Sequence, residues 1–323
     1  MVLYAFRRLL NAIPILIGIT IISFIFVHMA PGGPLSQIAE DPTIKAVDKE
    51  NLIKAYGLDK PLTTQYWDMI SGMVQGDFGT SFFKNEPVSK VILDRLPNTL
   101  LLTVTSFIIA MLIGIPIGII CALKPNSRFD QIVSGITFAG ISLPTFWLAI
   151  LLIMFFAVKL GWLPSGGLKS LNGDFSLADR IKHLILPMIT MAVGELAVWT
   201  RYIRSSMMEI VNQDYMRTAR AKGLKSSRIL VLHGFRNALI PLATLFGLAI
   251  PSFFGGALFT ETVFSIPGMG RLFTEAAFQR DYPIIFAINT IVAFLTVFGN
   301  IIADVLIAAL DPRVSLGNKE VKV

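Results

Sequence analysis

The sequence predicts an all-α polytopic membrane protein: six transmembrane helices, with a small helical extracytoplasmic insertion between the first and the second. Three observations predict it. Of the 323 residues, 54% are hydrophobic and 15% charged, a balance outside that of soluble domains. The apolar residues gather into six runs of at least about 17 residues, the length a helix needs to cross a bilayer. The basic residues favour alternate connections between those runs, as cytoplasmic segments do. A net charge of +7 would suit nucleic acid, but charges set between apolar runs suit a lipid bilayer instead. No nucleic-acid partner is expected.

The first run covers residues 9–27, after Arg7 and Arg8. A cleavable signal is the rival reading. The run is long for one, no small-x-small site follows it, and Pro31 stands where cleavage would fall. Residues 1–29 are therefore read as a retained first span with a cytoplasmic N-terminus. Residues 30–98 form the insertion, with seven basic and nine acidic residues. Three helices are expected there. Asp48 starts one that carries Leu52, Ile53 and Tyr56 and is closed by Gly57. Pro61 sits in the first turn of a second, with Leu62, Tyr66, Ile70 and Met73 at helical spacing. Pro87 opens a third, with Val88, Val91 and Ile92 on one face. A brace on the outer face is the simpler role for this module, contact with another protein the sharper one.

Residues 99–310 form a five-helix core. The second span (99–123) holds Gly114 and Gly118 on either side of Pro116, a pairing that lets helices approach closely. The third (131–158) contains SLPTFW (142–147), where Pro144 bends the helix and frees a carbonyl that could line a cavity; a packing kink is the alternative. A turn-rich loop with WLPSGG (162–167) leads to the fourth span (184–200). That span carries Glu195, the one acid or base well inside an apolar run. A charge at the bilayer centre costs about 2.5–3.5 kcal/mol, so Glu195 faces protein or a water-filled cavity, or is protonated. The fifth span (238–259) has Pro241 near its start, Pro251 in its middle, and Gly247, Gly255 and Gly256 suited to close contacts. In ETVFSIPGMGRLFTEAAFQRDYP (261–283), a turn precedes Leu272, Phe273, Ala276 and Ala277 at helical spacing. A surface loop packed on the bundle is the simpler reading, an outer gate or re-entrant segment the alternative. The sixth span (284–303) leads to a basic tail, residues 311–323. Glu195, Pro144 and Pro251 are the candidates for a pore wall.

Six spans place both termini on one side. With the long insertion set aside, because the charge rule is weak there, that side holds fifteen basic residues and the other six. Both termini are therefore expected in the cytoplasm, together with the loop 201–237. Within that loop lies DYMRTARAKGLKSSR (214–228), with Arg217, Arg220, Lys222, Lys225 and Arg228. Asp214 can cap a short helix, Gly223 can end it in a left-handed conformation, and Ser226 or Ser227 can cap a second one running up to Pro241. About two turns of helix are marginal alone. Thr218, Ala219, Ala221 and Gly223 leave a surface that another chain can approach. Orientation by charge alone is the competing reading.

This stretch resembles the coupling loop of the permease subunits of binding-protein-dependent ABC importers, whose motif reads Glu-Ala-Ala, three residues, Gly. Here Arg217, Thr218 and Ala219 precede Gly223 at the matching spacing. The family's later Ile-x-Leu-Pro is replaced by His233, Gly234, Phe235 and Arg236. The form T-A-R-A-K-G is similar to the peptide and nickel branch. APGGP (30–34), YGLDKPL (56–62), GDFGTS (76–81) and RLPNTL (95–100) extend the likeness across the insertion. The resemblance implies a prokaryotic cytoplasmic (inner) membrane, a second homologous permease sharing the pore, and an extracytoplasmic substrate-binding protein. It also implies two cytoplasmic ATPase subunits or domains, which would hold ATP and Mg and be met through Arg217, Thr218, Ala219, Ala221, Lys222, Gly223 and Leu224. The cargo it implies is peptide, with glutathione or nickel chelates as alternatives.

Chemistry of the chain's own is not expected. It contains no G-x-x-x-x-G-K-[ST], no H-E-x-x-H and no G-x-S-x-G. The GLKS segments at 167–170 and 223–226 lack the phosphate-loop spacing. One cysteine, Cys121, and three histidines, His28, His183 and His233, give no metal-ligand pattern. An ion-coupled secondary transporter using Glu195, or a structural membrane protein, would be alternatives of another class.

Overall fold

In hydrocarbon a chain must satisfy its backbone polar groups internally, which for single apolar runs means a helix. The computed structural model describes residues 2–29, 50–51, 53–54, 57–170, 176–225, 229 and 234–310. The helices among them are α1 (Val2–Met29), α2 (Leu62–Val74), α3 (Val88–Leu123), α4 (Arg128–Ser142), α5 (Thr145–Leu152), α6 (Leu177–Val211), α7 (Asp214–Ala221), α8 (Arg236–Gly255), α9 (Leu258–Val263), α10 (Met269–Gln279) and α11 (Tyr282–Leu310). The β-type pairing among the described residues is an isolated bridge, Thr80 to Pro87. APGGP (30–34), Asp48, Leu52, Tyr56, Ser226, Ser227, Arg228, His233 and the tail 311–323 lie outside the described residues.

Four helices are long and apolar enough to span: Val88–Leu123, Leu177–Val211, Asn237–Val263 and Tyr282–Leu310. The pair Arg128–Ser142 and Thr145–Lys159 makes a fifth if counted as one, and Ile13–Met29 in α1 is a shorter apolar stretch. The expected kink at Pro144 is a break: the two halves meet at 103°. Leu143 is extended (φ −78°, ψ 125°), as the residue before a proline prefers, and Pro144 caps the next helix. Beyond Leu152 the helix widens to π geometry over Ile153–Lys159.

Two expected boundaries move. The helix expected to open at Pro87 and the second span are one helix, α3, continuous through Pro97 and Pro116. A proline removes one backbone bond without ending a helix that neighbours hold; Asn98 Nδ2 fastens this point by donating to Pro267 O at 3.0 Å. The helix α8 stops at Gly255, because Gly256 turns the chain at φ +82°, and α9 carries the apolar stretch on to Val263, past the expected end at Phe259. A Cβ on Gly256 would stand 2.4 Å from Gly270 N, so this turn accepts only glycine.

The small residues do what their spacing suggests. α3 packs most extensively on α6, and α8 on α11. In the first pair, a Cβ on Gly118 would lie 2.7 Å from Thr200 O; in the second, a Cβ on Gly247 would lie 2.4 Å from Gly299 O. These are backbone-to-backbone contacts of the kind that hold membrane helices together without a hydrophobic driving force. Around the first lies a cluster of Phe107, Trp199, Ile203, Met207 and Leu242. α1 is peripheral: it packs on α11 and leaves Ile15, Ile22 and Phe26 exposed. α2 has no buried residue. It meets α1 through Tyr66, whose Oη lies 2.9 Å from Thr20 Oγ1.

Candidate functional site

α6 carries the chain past the apolar run to Val211, and α7 follows after Asn212 and Gln213. Asp214 is not the cap. Gln213 takes the extended capping position (φ −73°, ψ 151°) without a side-chain bond, and Asp214 stands in the first turn, where a carboxylate still suits the helix dipole. Gly223 closes the helix at φ +73°, and its N–H donates to Arg220 O at 2.9 Å. A Cβ there would meet nothing within 4 Å. The glycine is required by backbone conformation, not by space.

The helix has two faces. Met216 and Ala219, with Ile229, form a buried cluster against Ile210, Val211 and Leu224. Ala219 is only 7% exposed. Arg217, Thr218, Ala221, Lys222 and Gly223 are exposed. The seven residues expected to form one contact surface are thus split. Five face outward, while Ala219 and Leu224 fasten α7 to the end of α6. The sequence missed this because alanine's small volume suits both an interface and an interior. Asn237 Nδ2, donating to Tyr215 Oη at 3.3 Å, ties the same helix to the start of α8.

Beneath α7, α6 is clamped to α4. Arg204 Nε and Nη2 donate to the two oxygens of Asp130 at 2.5 and 2.8 Å, a bidentate pair. Asp130 is 2% exposed and also accepts from Asn126 N–H at 2.9 Å. The helices meet again where a Cβ on Gly140 would touch Val193 Cγ1 at 3.3 Å. Beside these contacts lies a cavity of about 650 Å³, lined from α4 by Ser134, Thr137, Phe138 and Ile141 and from α6 by Val198, Arg201, Tyr202, Arg204 and Ser205.

Glu195 lies on α6, half-buried, seven residues above Tyr202 and so on nearly the same stripe. Pro144 is exposed at the α4–α5 corner and Pro251 half-buried in α8. These three candidates stand on separate elements, and none lines the cavity between α4 and α6.

Two buried acids escaped the sequence reading because both lie outside the apolar runs. Glu261 is fully buried. Its Oε1 accepts from Thr99 Oγ1 at 2.8 Å and its Oε2 from Arg271 N–H at 3.0 Å, while Thr99 Oγ1 accepts from Met269 N–H at 2.7 Å. A carboxylate and a hydroxyl thus satisfy the N-terminus of α10. The segment 261–283 is therefore more than a surface loop: Phe264, Ile266, Met269 and Leu272 are buried with it. Asp281 accepts from Ser81 Oγ at 2.5 Å and from Phe82 N–H at 3.3 Å, docking the insertion onto the start of α11. Ser-Ile-Pro-Gly ahead of a helical pattern was the available signal for the first, since such a turn leaves helix N–H groups needing an acceptor.

Comparison with known proteins matches residues 114–316 to the family described as binding-protein-dependent transport system inner membrane component. Residues 1–103 match the N-terminal portion of such membrane components. The oligopeptide transport system permease protein AppB of Bacillus subtilis (strain 168) is 50% identical over 315 residues, covering 97% of this chain and 99% of that protein. The glutathione transport system permease protein GsiC of Escherichia coli (strain K12) is 41% identical over 311 residues, covering 96% and 98%. A solved inward-facing conformation of the MetNI methionine ABC transporter superposes with a TM-score of 0.52 at 20% identity, over 68% of this chain and 96% of that one. That likeness concerns the fold alone.

Proposed function

Because this chain belongs to the binding-protein-dependent transport system inner membrane components, in the peptide branch of the ABC importer permeases, we propose that it forms half of a pore for peptides. The observation that carries the cargo is the 50% identity to an oligopeptide permease, sustained over 97% of the chain. Glutathione is the second reading, favoured by the 41% identity to GsiC.

In this reading the chain crosses the cytoplasmic membrane six times. α1 and the bent α4–α5 pair supply the two spans beyond the four long ones, and both termini are cytoplasmic. A second homologous permease completes the pore, an extracytoplasmic binding protein delivers the cargo, and two ATPase subunits or domains carry ATP and Mg. The domains follow as the first span (1–29), the extracytoplasmic insertion (30–98), the core (99–310) and the tail (311–323). α3 begins within the insertion and runs on into the core.

The mechanism is alternating access. ATP closes the ATPases against each other. Arg217, Thr218, Ala221, Lys222 and Gly223 on α7 sit against their surface. Ala219 and Leu224 pass the movement inward through Ile210 and Val211, so α6 moves with α7. The Asp130–Arg204 clamp carries α4 along. Glu195, Pro144 and Pro251 face the path in this arrangement.

The test is purification of the tagged chain in mild detergent, identification of its companions by mass spectrometry, and uptake of labelled peptides by the reconstituted complex. A second permease, P-loop ATPases and ATP-dependent peptide uptake support the proposal. A chain that purifies alone and moves solute without ATP refutes it.

A further inference from the structure

We infer that the cavity between α4 and α6 is a waypoint on the translocation path that binds the carboxylate end of the cargo through Arg201. The inference rests on the peptide-permease reading above.

Arg201 and Arg204 are neighbours on α6 with different fates. Arg204 is committed to Asp130 through both carboxylate oxygens. Among the described residues no acid pairs with Arg201, which is exposed and lines the cavity. It sits one residue past the apolar run 184–200, where an unpaired cation needs water or an anion. A guanidinium fork matches the two oxygens of a carboxylate.

The other groups suit the same ligand. Tyr202, half exposed, offers a phenol, and Ser134 and Ser205 offer hydroxyls. Phe138 and Ile141 give apolar walls for side chains. About 650 Å³ falls within the range of small-molecule sites.

The lining chooses a peptide over an anionic lipid. Tyr202, Ser134 and Ser205 set polar groups where peptide amides can bond, beside the apolar walls of Phe138 and Ile141; an anionic headgroup would use Arg201 alone.

The experiment uses the complete purified complex without nucleotide or binding protein. Binding of fluorescently labelled trialanine and of its C-terminal amide is compared in nanodiscs with and without phosphatidylglycerol. ATP-driven uptake of trialanine is measured in parallel. The wild type should bind the free acid at least fivefold more tightly than the amide. Arg201→Gln should abolish that preference, and Arg201→Lys should keep part of it. Equal binding of acid and amide by the wild type overturns the inference, as does an Arg201→Gln variant that loses both alike. Binding that tracks phosphatidylglycerol and ignores the carboxylate assigns the cavity to lipid and also overturns it. Normal ATP-driven uptake alongside any of these failures leaves the peptide reading standing; absence of uptake removes both.

Discussion

Ala219 and Ala221 are two residues apart on α7, and the structure assigns them opposite tasks, which a pair of leucine substitutions separates. Ala219 is 7% exposed and touches the cluster of Met216 and Ile229. Ala221 is exposed. α7 has eight residues, too few to persist alone in water, so its position depends on that cluster. Burying a methionine side chain such as Met216 contributes about 1.5–3 kcal/mol. Three extra carbons at position 219 enter the same cluster, and overpacking of this kind costs about 1–3 kcal/mol. The two quantities are equal in size, so Ala219→Leu should largely release α7 from Ile210 and Val211. Ala221→Leu adds its carbons to solvent and should change folding by no more than about 0.5 kcal/mol. The assay is hydrogen exchange of amides 214–222 in the isolated chain, followed by uptake and ATP hydrolysis in the reconstituted complex. Ala219→Leu should exchange fast and fail to transport. Ala221→Leu should exchange as the wild type does, yet take up less cargo per ATP hydrolysed. Slow exchange in Ala219→Leu would refute the inward packing. Normal coupling in Ala221→Leu would refute the outer face as the ATPase contact.

Other substitutions probe the scaffold. Gly118→Ala places a Cβ 2.7 Å from Thr200 O and should destabilise the α3–α6 pair by about 1–3 kcal/mol, read as a lower midpoint of thermal unfolding; an unchanged midpoint would show that the helices slide apart freely. Arg204→Ala strands the buried Asp130 and should cost about 3 kcal/mol, near the lower end for a broken buried pair because Arg204 is part-exposed. Charge reversal at both positions should recover part of that loss in the same measurement. Glu261→Ala deprives Thr99 Oγ1–H and Arg271 N–H of acceptors, at about 1–3 kcal/mol each. Glu261→Gln keeps one acceptor and should fall between the alanine variant and the wild type. Gly223→Ala forces a side chain into a left-handed conformation, costing about 1–2 kcal/mol, and Gly223→Pro should remove coupling altogether, measured as uptake per ATP.

Most of the helical layout is legible in the sequence, because span length and hydropathy follow from the thickness of hydrocarbon and the need to satisfy the backbone. Gly114, Gly118 and Gly247 gave away the close helix contacts, since a missing Cβ is informative only where another backbone passes. Pro144 marked the bend but not its size: proline sets the local conformation of Leu143, whereas 103° is decided by what the two halves pack against. Pro97 shows the reverse case, a helix breaker overridden by its neighbours. The short helix that carries the candidate contact was legible in position and not in facing. The spacing of Arg217 to Gly223 located α7, but which alanine points inward depends on Ile210, Val211 and Ile229, and those contacts are tertiary. Arg201 was hidden because it ends an apolar run amid other basic residues, and only the pairing of its neighbour with Asp130 sets it apart.

The acids of this chain divide by whether they are satisfied, and the division follows the motion the fold must permit. Glu261 holds the N-terminus of α10 to α3, Asp281 holds the insertion to α11, and Asp130 holds α4 to α6. Each joins elements distant in sequence, each is buried, and each has its oxygens accounted for by donors at 2.5–3.4 Å. Such groups resist separation, because parting them leaves a buried charge without partners. They make a rigid body of each region they join. On α6, Glu195 is hydrogen-bonded to Trp199 of its own helix, whereas no acid pairs with Arg201 among the described residues. A cation left uncommitted near the membrane is unfavourable unless water or an anion reaches it, which sets Arg201 apart from the pinned acids and places it on the proposed path. α7 follows the same helix after the turn at Asn212 and Gln213. In the proposed arrangement α6 carries Arg201 and also holds α7 through Ile210 and Val211, so a displacement of α7 would reach Arg201 through that packing.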